Sequence, residues 1–293
     1  MRVLILGAAG MLGHKVWQQL RENFDCWGTV RQNRSYYQNV ALLCDDRIIY
    51  DVDLCKCGRI GALLDEVSPH VIVNCVGIVK QLEQGKDPLI SIEVNALLPH
   101  RLYRLCRRRS VQLIQLSTDC VFSGQRGNYV ETDPLDAQDL YGRTKALGEV
   151  DGLGALTIRS SIIGRQLSGC TGLLEWFLSQ AGGRVQGFRR AKFSGFTTLE
   201  MARIISRLIG SHHELNGIFH IASQPISKYE LLSLIRETLD LNIQIDPDDE
   251  FVCDRSLNGK AFAARTGYSA PVWREMIEAV RNDPTPYEDW RRY

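Results

Sequence analysis

Side chains between Ser117 and Lys145 could together move a proton. Ser117 and Thr118 offer hydroxyls at the end of an apolar run, and Tyr141 follows with Lys145 four residues beyond. On a helix, positions i and i+4 share a face, so Tyr141 and Lys145 point the same way. A phenol near its reference pKa of about 10 is a poor acid–base group at neutral pH, and a neighbouring ammonium lowers that value. A fall to about 7 needs roughly 4 kcal/mol, at about 1.36 kcal/mol per unit, which one close cation and a cofactor charge can supply. Ten tyrosines and eight lysines in 293 residues give about 0.3 such pairs by chance, so context must decide.

The N-terminal half provides that context. An apolar run at 2–6 enters Gly7-Ala8-Ala9-Gly10-Met11-Leu12-Gly13, and Val16, Trp17 and Leu20 follow at helical spacing. Strand, glycine turn and helix in this order suit a dinucleotide. Gly7 permits the tight turn, Gly10 admits a pyrophosphate, and Gly13 allows close helix–strand packing. Met11 and Leu12 open the helix, where free N–H groups and the dipole favour that anion. The plainer alternative is a tight turn that binds nothing.

A second apolar run, 26–30, ends at Arg31, with Asn33 and Arg34 beyond. An acidic residue there would take ribose hydroxyls, whereas a cation suits a 2′-phosphate, so NADPH is favoured over NADH. The alternative is a solvated loop arginine. Residues 47–53 read as a third strand, with Asp51 and Val52 bordering the adenine. A fourth, 70–75, leads into Cys75, Val76 and Gly77 on the nicotinamide side, while Asn74 fixes local backbone. Segment 87–109 opens with Asp-Pro, a helix start, and Leu89, Ile92, Leu98, Leu102 and Leu105 mark one apolar face. Arg107, Arg108 and Arg109 close it as a solvated cap, and Asn95 either braces the site or faces a neighbour. The fifth strand, 111–116, delivers Ser117, Thr118 and Asp119 to the sheet edge where ligands gather.

Composition sets the outer limits. A chain of 293 residues, 44% hydrophobic and 24% charged, can bury a sizeable core in one domain or two joined lobes. The formal net charge of +1 gives no electrostatic case for nucleic acid or an anionic membrane. Nine cysteines, with only Cys55 and Cys57 close, read as reduced thiols of a cytoplasmic protein rather than disulfides or a zinc knuckle. No metal site is expected. Immediate entry into a strand argues against a signal peptide, and no apolar run nears the roughly 20 residues that span a bilayer.

A sixth apolar run, 155–158, ends at Arg159-Ser160-Ser161, and the rhythm then changes. Residues 164–187 hold several glycines and an aromatic-rich helix at 173–178, and 187–192 is locally basic. Helices at 198–209, 227–239 and 271–281, a strand at 218–221 and a frayed polar tail from Asn282 complete the chain. Strand–helix alternation argues for an α/β fold of Rossmann type, a doubly wound parallel sheet with a smaller α/β lobe toward the C-terminus. The expected division gives 1–162 plus 194–224 to NADP, 163–193 plus 225–281 to substrate, and 282–293 to the tail.

In this order the glycine turn, Thr118, Tyr141 and Lys145 resemble the extended short-chain dehydrogenase/reductases, where the 23 positions from Thr118 to Tyr141 are a typical interval. Within them, Ser117-Thr118-Asp119-Cys120-Val121-Phe122 is similar to the Ser-Thr-Asp-Tyr-Val-Phe segment of the dTDP-4-dehydrorhamnose reductases. Ile158-Arg159-Ser160-Ser161 and Phe193-Ser194-Gly195-Phe196-Thr197-Thr198 extend the likeness over most of the chain. Cys120 replaces that family's usual tyrosine, and Phe196-Thr197-Thr198 a more usual Ala/Pro-Thr. Cys253-Asp254-Arg255-Ser256-Leu257 is similar to a subgroup acting in surface-polysaccharide synthesis, including UDP-linked amino-sugar pathways.

The resemblance implies NADPH-dependent reduction of the C4 carbonyl of a nucleotide-linked 6-deoxy-4-ketosugar. Tyr141 would donate the proton and Thr118 hydrogen-bond the same oxygen. Lys145 would lower the Tyr141 pKa and hold the nicotinamide ribose. Asp119 would contact the sugar or merely cap a loop. The substrate diphosphate needs cations, for which Arg189, Arg190, Lys192 and above all Arg255 are candidates, with Lys80 behind them. A homodimer is the oligomeric state carried forward. Three rivals stand beside this reading: a nucleotide-sugar epimerase or epimerase/reductase, a non-catalytic NADP-binding regulatory subunit like that of methionine adenosyltransferase, and a reductase of a non-sugar carbonyl.

Overall fold

The structure, a computed structural model, describes residues 1–290. β1 (Arg2–Leu6) is apolar and buried from Val3 onward because both faces of its sheet are covered. Gly7 then turns the chain at φ +78° into α1 (Gly13–Leu20). β2 (Asp25–Thr29), β3 (Ile48–Ile49), α2 (Arg59–Val67) and β4 (Val71–Asn74) follow. Next come α3 (Pro88–Ser91), a π-helical stretch (Ile92–Leu97), α4 (Leu98–Arg108), β5 (Gln112–Ser117), α5 (Leu140–Leu147) and β6 (Ala155–Arg159). The second half holds β7 (Ile162–Ile163), α6 (Leu173–Leu178), β8 (Arg184–Phe188), β9 (Ala191–Phe193), β10 (Phe196–Thr197), α7 (Thr198–Ser211) and β11 (Gly217–His220). It closes with β12 (Ile226–Ser227), α8 (Lys228–Leu239), β13 (Gln244–Asp248), β14 (Cys253–Asp254), α9 (Lys260–Thr266), α10 (Trp273–Arg281) and α11 (Tyr287–Trp290).

Seven parallel strands run in the order β11-β6-β5-β4-β1-β2-β3. Connections reverse direction between β1 and β4, which opens a crevice at the carboxyl ends of the strands. On one face, Val16, Trp17 and Leu20 of α1 and Ile205 and Leu208 of α7 share a core with Val3, Ile5 and Ile114. On the other, Leu63 and Leu64 of α2 and Leu98 and Leu102 of α4 pack with Leu4, Leu6 and Ile72. This is the doubly wound Rossmann-type arrangement that strand–helix alternation predicts. Three small sheets, β10-β7, β12-β9-β14 and β13-β8, lie outside it. No helix among the described residues is long and apolar enough to cross a membrane.

Three expectations give way. The third strand is two residues long, because at Asp51 the backbone turns to φ +57°, outside the β region. The helix at 87–109 is interrupted. Asp87 caps it and Pro88 opens it, but the π-helical stretch shifts the register. Leu89 and Ile92, 79% and 45% exposed, therefore leave the face on which Leu98 and Leu102 are fully buried.

The tail, expected to fray, is instead docked as far as residue 290. Lys15 and Asp283 form a 2.6 Å ion pair with both side chains buried. The Tyr287 hydroxyl meets His14 Nε2 at 2.8 Å, and His14 Nδ1 lies 2.9 Å from the Gly10 carbonyl. Periodicity cannot place polar side chains whose partners lie 273 positions away, as Tyr287 does from His14. The tail's last three positions, 291–293, lie outside the described residues.

Burial holds the His14 imidazole down at about 4, against the pull of the Gly10 carbonyl, so it is neutral in the fold. The unfolded chain binds this proton near pH 6.5, so the stabilisation is complete above that pH and is lost as pH falls toward 4. The interval corresponds to about 3 kcal/mol. The melting temperature is expected to drop across this window in the wild type and by less in His14→Gln; identical pH profiles would contradict the assignment.

Candidate active site

Ser117 and Thr118 stand at the carboxyl end of β5, in mid-sheet, and α5 brings Tyr141 and Lys145 to the same place. Asp139 caps α5, accepting from the Gly142 N–H at 2.7 Å. Gly142 is required for the approach, since a Cβ there would lie 2.2 Å from the Cys120 carbonyl. Helix and turn touch, and the Tyr141 phenol lies close to the Thr118 side chain. Thr118 Oγ1 also accepts from the Cys120 N–H and donates to Asp119 Oδ1, both at 3.2 Å. Thr118 itself caps the short turn at Asp119–Val121. Ser117 is turned away, its hydroxyl donating to Glu149 at 2.6 Å.

Lys145 Nζ donates to the Leu116 carbonyl at 2.6 Å, and burial brings the ammonium down to about 8 while Glu149 opposes the change. The Tyr141 phenol moves the other way. Burial raises it most, the neighbouring Cys120 thiol adds to this, and Thr118 only partly offsets them; Asp119 and Asp139 raise it further. The expected depression of the phenol by Lys145 is therefore absent: the ammonium turns to a backbone carbonyl, and acidic groups dominate around the ring. A phenol held protonated suits donation rather than abstraction. Lys145 is cationic below about pH 8 and neutral above it. Where its charge serves the reaction, kcat/KM is expected to fall about tenfold per pH unit above that point. A profile that stays flat there would remove Lys145 from the mechanism.

A buried frame supports these groups. Arg159 donates to both Glu149 oxygens at 2.8 and 2.7 Å, with the two side chains 4% and 5% exposed, and also to the Glu131 carbonyl at 3.1 Å. Asn74 fixes backbone as expected, accepting from the Val76 N–H at 3.1 Å and donating to Gln115 at 2.8 Å. Asn95, in the π-helical stretch, binds both backbone groups of Ile78 and donates to Thr144 Oγ1 at 3.4 Å. It thereby ties the loop after β4 to α5.

The glycine turn forms a cradle. A Cβ on Gly13 would fall 2.0 Å from the Gly7 carbonyl, and one on Gly7 2.9 Å from Val76 Cγ2. Turn, α1 and the Cys75-Val76-Gly77 loop thus close on one another. Gly10 is exposed, and the N–H groups of Met11 and Leu12 have no acceptor among the described residues. These open donors at a helix start fit an anionic pyrophosphate. Arg31 is exposed just past β2, and the Asp51 and Val52 N–H groups bond Gln32 and Val30 at 3.2 and 3.0 Å. The three candidates adjoin, although the Val52 side chain belongs to the core.

The cations expected to hold substrate separate. Arg255 reaches the turn after β5, its Nε donating to the Phe122 carbonyl at 2.8 Å and its Nη1 lying 3.7 Å from Cys120 Sγ. The run around it straps the loop after Thr118: the Asp254 N–H bonds the Gly124 carbonyl at 2.7 Å, and the Tyr129 N–H bonds that of Ser256 at 3.0 Å. Lys80 pairs with Asp139 at 3.8 Å. Arg189 and Lys192 line a different cavity, of about 420 Å³, together with Ser227 and Tyr229. They pair there with Asp249 and Asp254 at 3.2 and 3.5 Å. Thr118, Asp119, Tyr141, Lys145 and Arg255 therefore converge, while Arg189 and Lys192 lie farther out, Lys192 paired with Asp254 next to Arg255. Sequence reasoning missed Glu149 and Lys228. A signal for Lys228 existed, because a lysine directly after the cap Ser227 sits at the helix end whose dipole disfavours cations.

Residues 1–163 match the family model described as the RmlD substrate binding domain. The chain is 30% identical, over 304 aligned positions, to a probable dTDP-4,6-dihydroxy-2-methyloxan-3-one 4-ketoreductase of Streptomyces antibioticus, covering 99% of this chain and 92% of that protein. It is 26% identical to methionine adenosyltransferase 2 subunit beta of Danio rerio, over 82% and 74% of the two chains. In shape it is similar to a dTDP-4-dehydrorhamnose reductase of Bacillus anthracis solved with NADP, at a TM-score of 0.79 and 19% identity over 96% and 99% of the chains. With the family match spanning over half its length and the Streptomyces match nearly all of it, the chain belongs to the RmlD substrate binding domain family.

Proposed function

We propose that the protein is an NADPH-dependent oxidoreductase that reduces the C4 keto group of a nucleotide-linked 6-deoxy-4-ketosugar. The observation that carries this is the meeting of Thr118, Tyr141 and Lys145 at the end of β5, in the same sheet edge as the open glycine turn. The Streptomyces relative's name, a 4-ketoreductase of a dTDP-linked compound, supports the substrate class. The Bacillus structure supports the cofactor.

Gly7, Gly10, Met11, Leu12 and Gly13 would hold the pyrophosphate, Arg31 the 2′-phosphate, and Asp51 and Val52 the adenine. Cys75, Val76 and Gly77 would flank the nicotinamide, with Tyr141 and Lys145 on its ribose. NADPH, when bound, supplies the hydride. Tyr141 gives its proton to the C4 oxygen, and Thr118 hydrogen-bonds that oxygen. Asp119 faces the sugar and Arg255 the diphosphate, with Arg189 and Lys192 farther out. We assign 1–162 plus 194–224 to cofactor and 163–193 plus 225–281 to substrate. Nine free thiols support a cytoplasmic setting, and exposed Leu89, Ile92 and Leu97 support a homodimer.

Loss of NADPH absorbance with a panel of dTDP-, UDP- and GDP-4-keto-6-deoxysugars tests the reading; no oxidation with any of them would overturn it. The likeness to methionine adenosyltransferase 2 subunit beta favours a second reading, a non-catalytic NADP-binding subunit. Turnover that disappears in Tyr141→Phe eliminates that reading.

A further inference from the structure

We infer that Lys228 binds the substrate, its ammonium taking the diphosphate of the nucleotide-linked sugar, an inference that rests on the substrate class proposed above. Five other cations at and around the site are engaged. Lys80 pairs with Asp139, Lys192 with Asp254 and Arg189 with Asp249, while Lys145 and Arg255 donate to the Leu116 and Phe122 carbonyls. Lys228 has no carboxylate at ion-pair distance and no hydrogen-bond acceptor among the described residues. Its Nζ lies 4.2 Å over the Phe193 ring.

Topology carries this ammonium to the catalytic turn. Ser227, its neighbour, pairs with Lys192 on β9, and Lys192 pairs with Asp254, which precedes Arg255. Arg255 in turn touches Cys120. The electrostatic neighbours of Lys228 agree, being Asp119, Cys120 and Cys253, with Lys80 as the nearby like charge. A half-buried cation without a counter-ion is unfavourable, and more so at a helix start already satisfied by the Ser227–Glu230 capping box. A diphosphate removes both penalties at once. Stacking on Phe193, the residue after Lys192 on β9, fixes where the ammonium stands.

Titration of the whole protein with dTDP, UDP and GDP tests this. Lys228→Met is expected to weaken the tightest of these by about 10- to 100-fold, as for a lost charge-assisted contact. NADPH affinity and melting temperature are expected to hold, KM to rise more than kcat falls, and Lys228→Arg to recover most of the loss. Nucleoside diphosphate binding that survives Lys228→Met overturns the inference alone. So does equal weakening of NADPH binding, or a lowered melting temperature with no rescue by arginine, either of which marks a packing role. Wild-type protein that binds none of the three nucleotides overturns both this inference and the substrate class beneath it.

Discussion

Tyr141→Phe is expected to lower NADPH-dependent ketosugar reduction by about two to four orders of magnitude, the usual worth of a positioned general acid. The substitution removes one oxygen from a half-buried ring in contact with Thr118, so it deletes the proton and little of the shape. Burial and the acidic groups around the phenol keep it protonated through the neutral range, which is the state a donor needs. The neighbouring Cys120 thiol does not replace it, since burial pushes that thiol up to about 12 and leaves it a weak acid. NADPH binding, read by fluorescence, is expected to weaken far less than turnover, because most of the cradle lies on other elements and Tyr141 adds only a ribose contact. Turnover that falls by less than about tenfold would place the proton source elsewhere.

Arg159→Met is expected to cost about 3–5 kcal/mol of stability, the range for stranding one member of a buried ion pair. Glu149 would keep the Ser117 hydroxyl as a donor but lose both guanidinium bonds while only 5% exposed. Chemical denaturation measures the loss. The double variant Arg159→Met with Glu149→Leu is expected to regain much of it, because most of the cost lies in the unpaired carboxylate rather than in the pair. A single variant within about 1 kcal/mol of wild type would mean that water or His220 neutralises Glu149. Activity is expected to fall along with stability, since Glu149 holds Ser117 next to Thr118.

The sheet and helix α5 were legible because they depend on local pattern. Strands buried on both faces read as short apolar runs, and Gly7 to Gly13 carried the turn that joins the first strand to its helix. Tyr141 and Lys145 shared a helical face, as i and i+4 spacing requires. Spacing did not reveal where the Lys145 ammonium points, because a long side chain on that face chose the Leu116 carbonyl over the phenol. The same limit applies to Lys228, whose surroundings come from β9, β14 and the turn after β5. The interrupted helix at Ile92–Leu97 was hidden for another reason: its leucines fit a continuous helix equally well, and only the tertiary bonds of Asn95 select the π-helical path.

The docked C-terminal segment joins the two ends of the chain, with Lys15 and Thr285, 270 positions apart, bonded at 2.7 Å beside the buried Asp283 pair. Closing so long a circuit costs chain entropy before any contact repays it, so this junction is expected to form after the sheet. Interactions that arrive after the folding barrier act on the rate of unfolding and leave the rate of folding almost unchanged. The docked segment of this enzyme is therefore expected to set how long a folded molecule persists, while we place its chemistry at Thr118 and Tyr141.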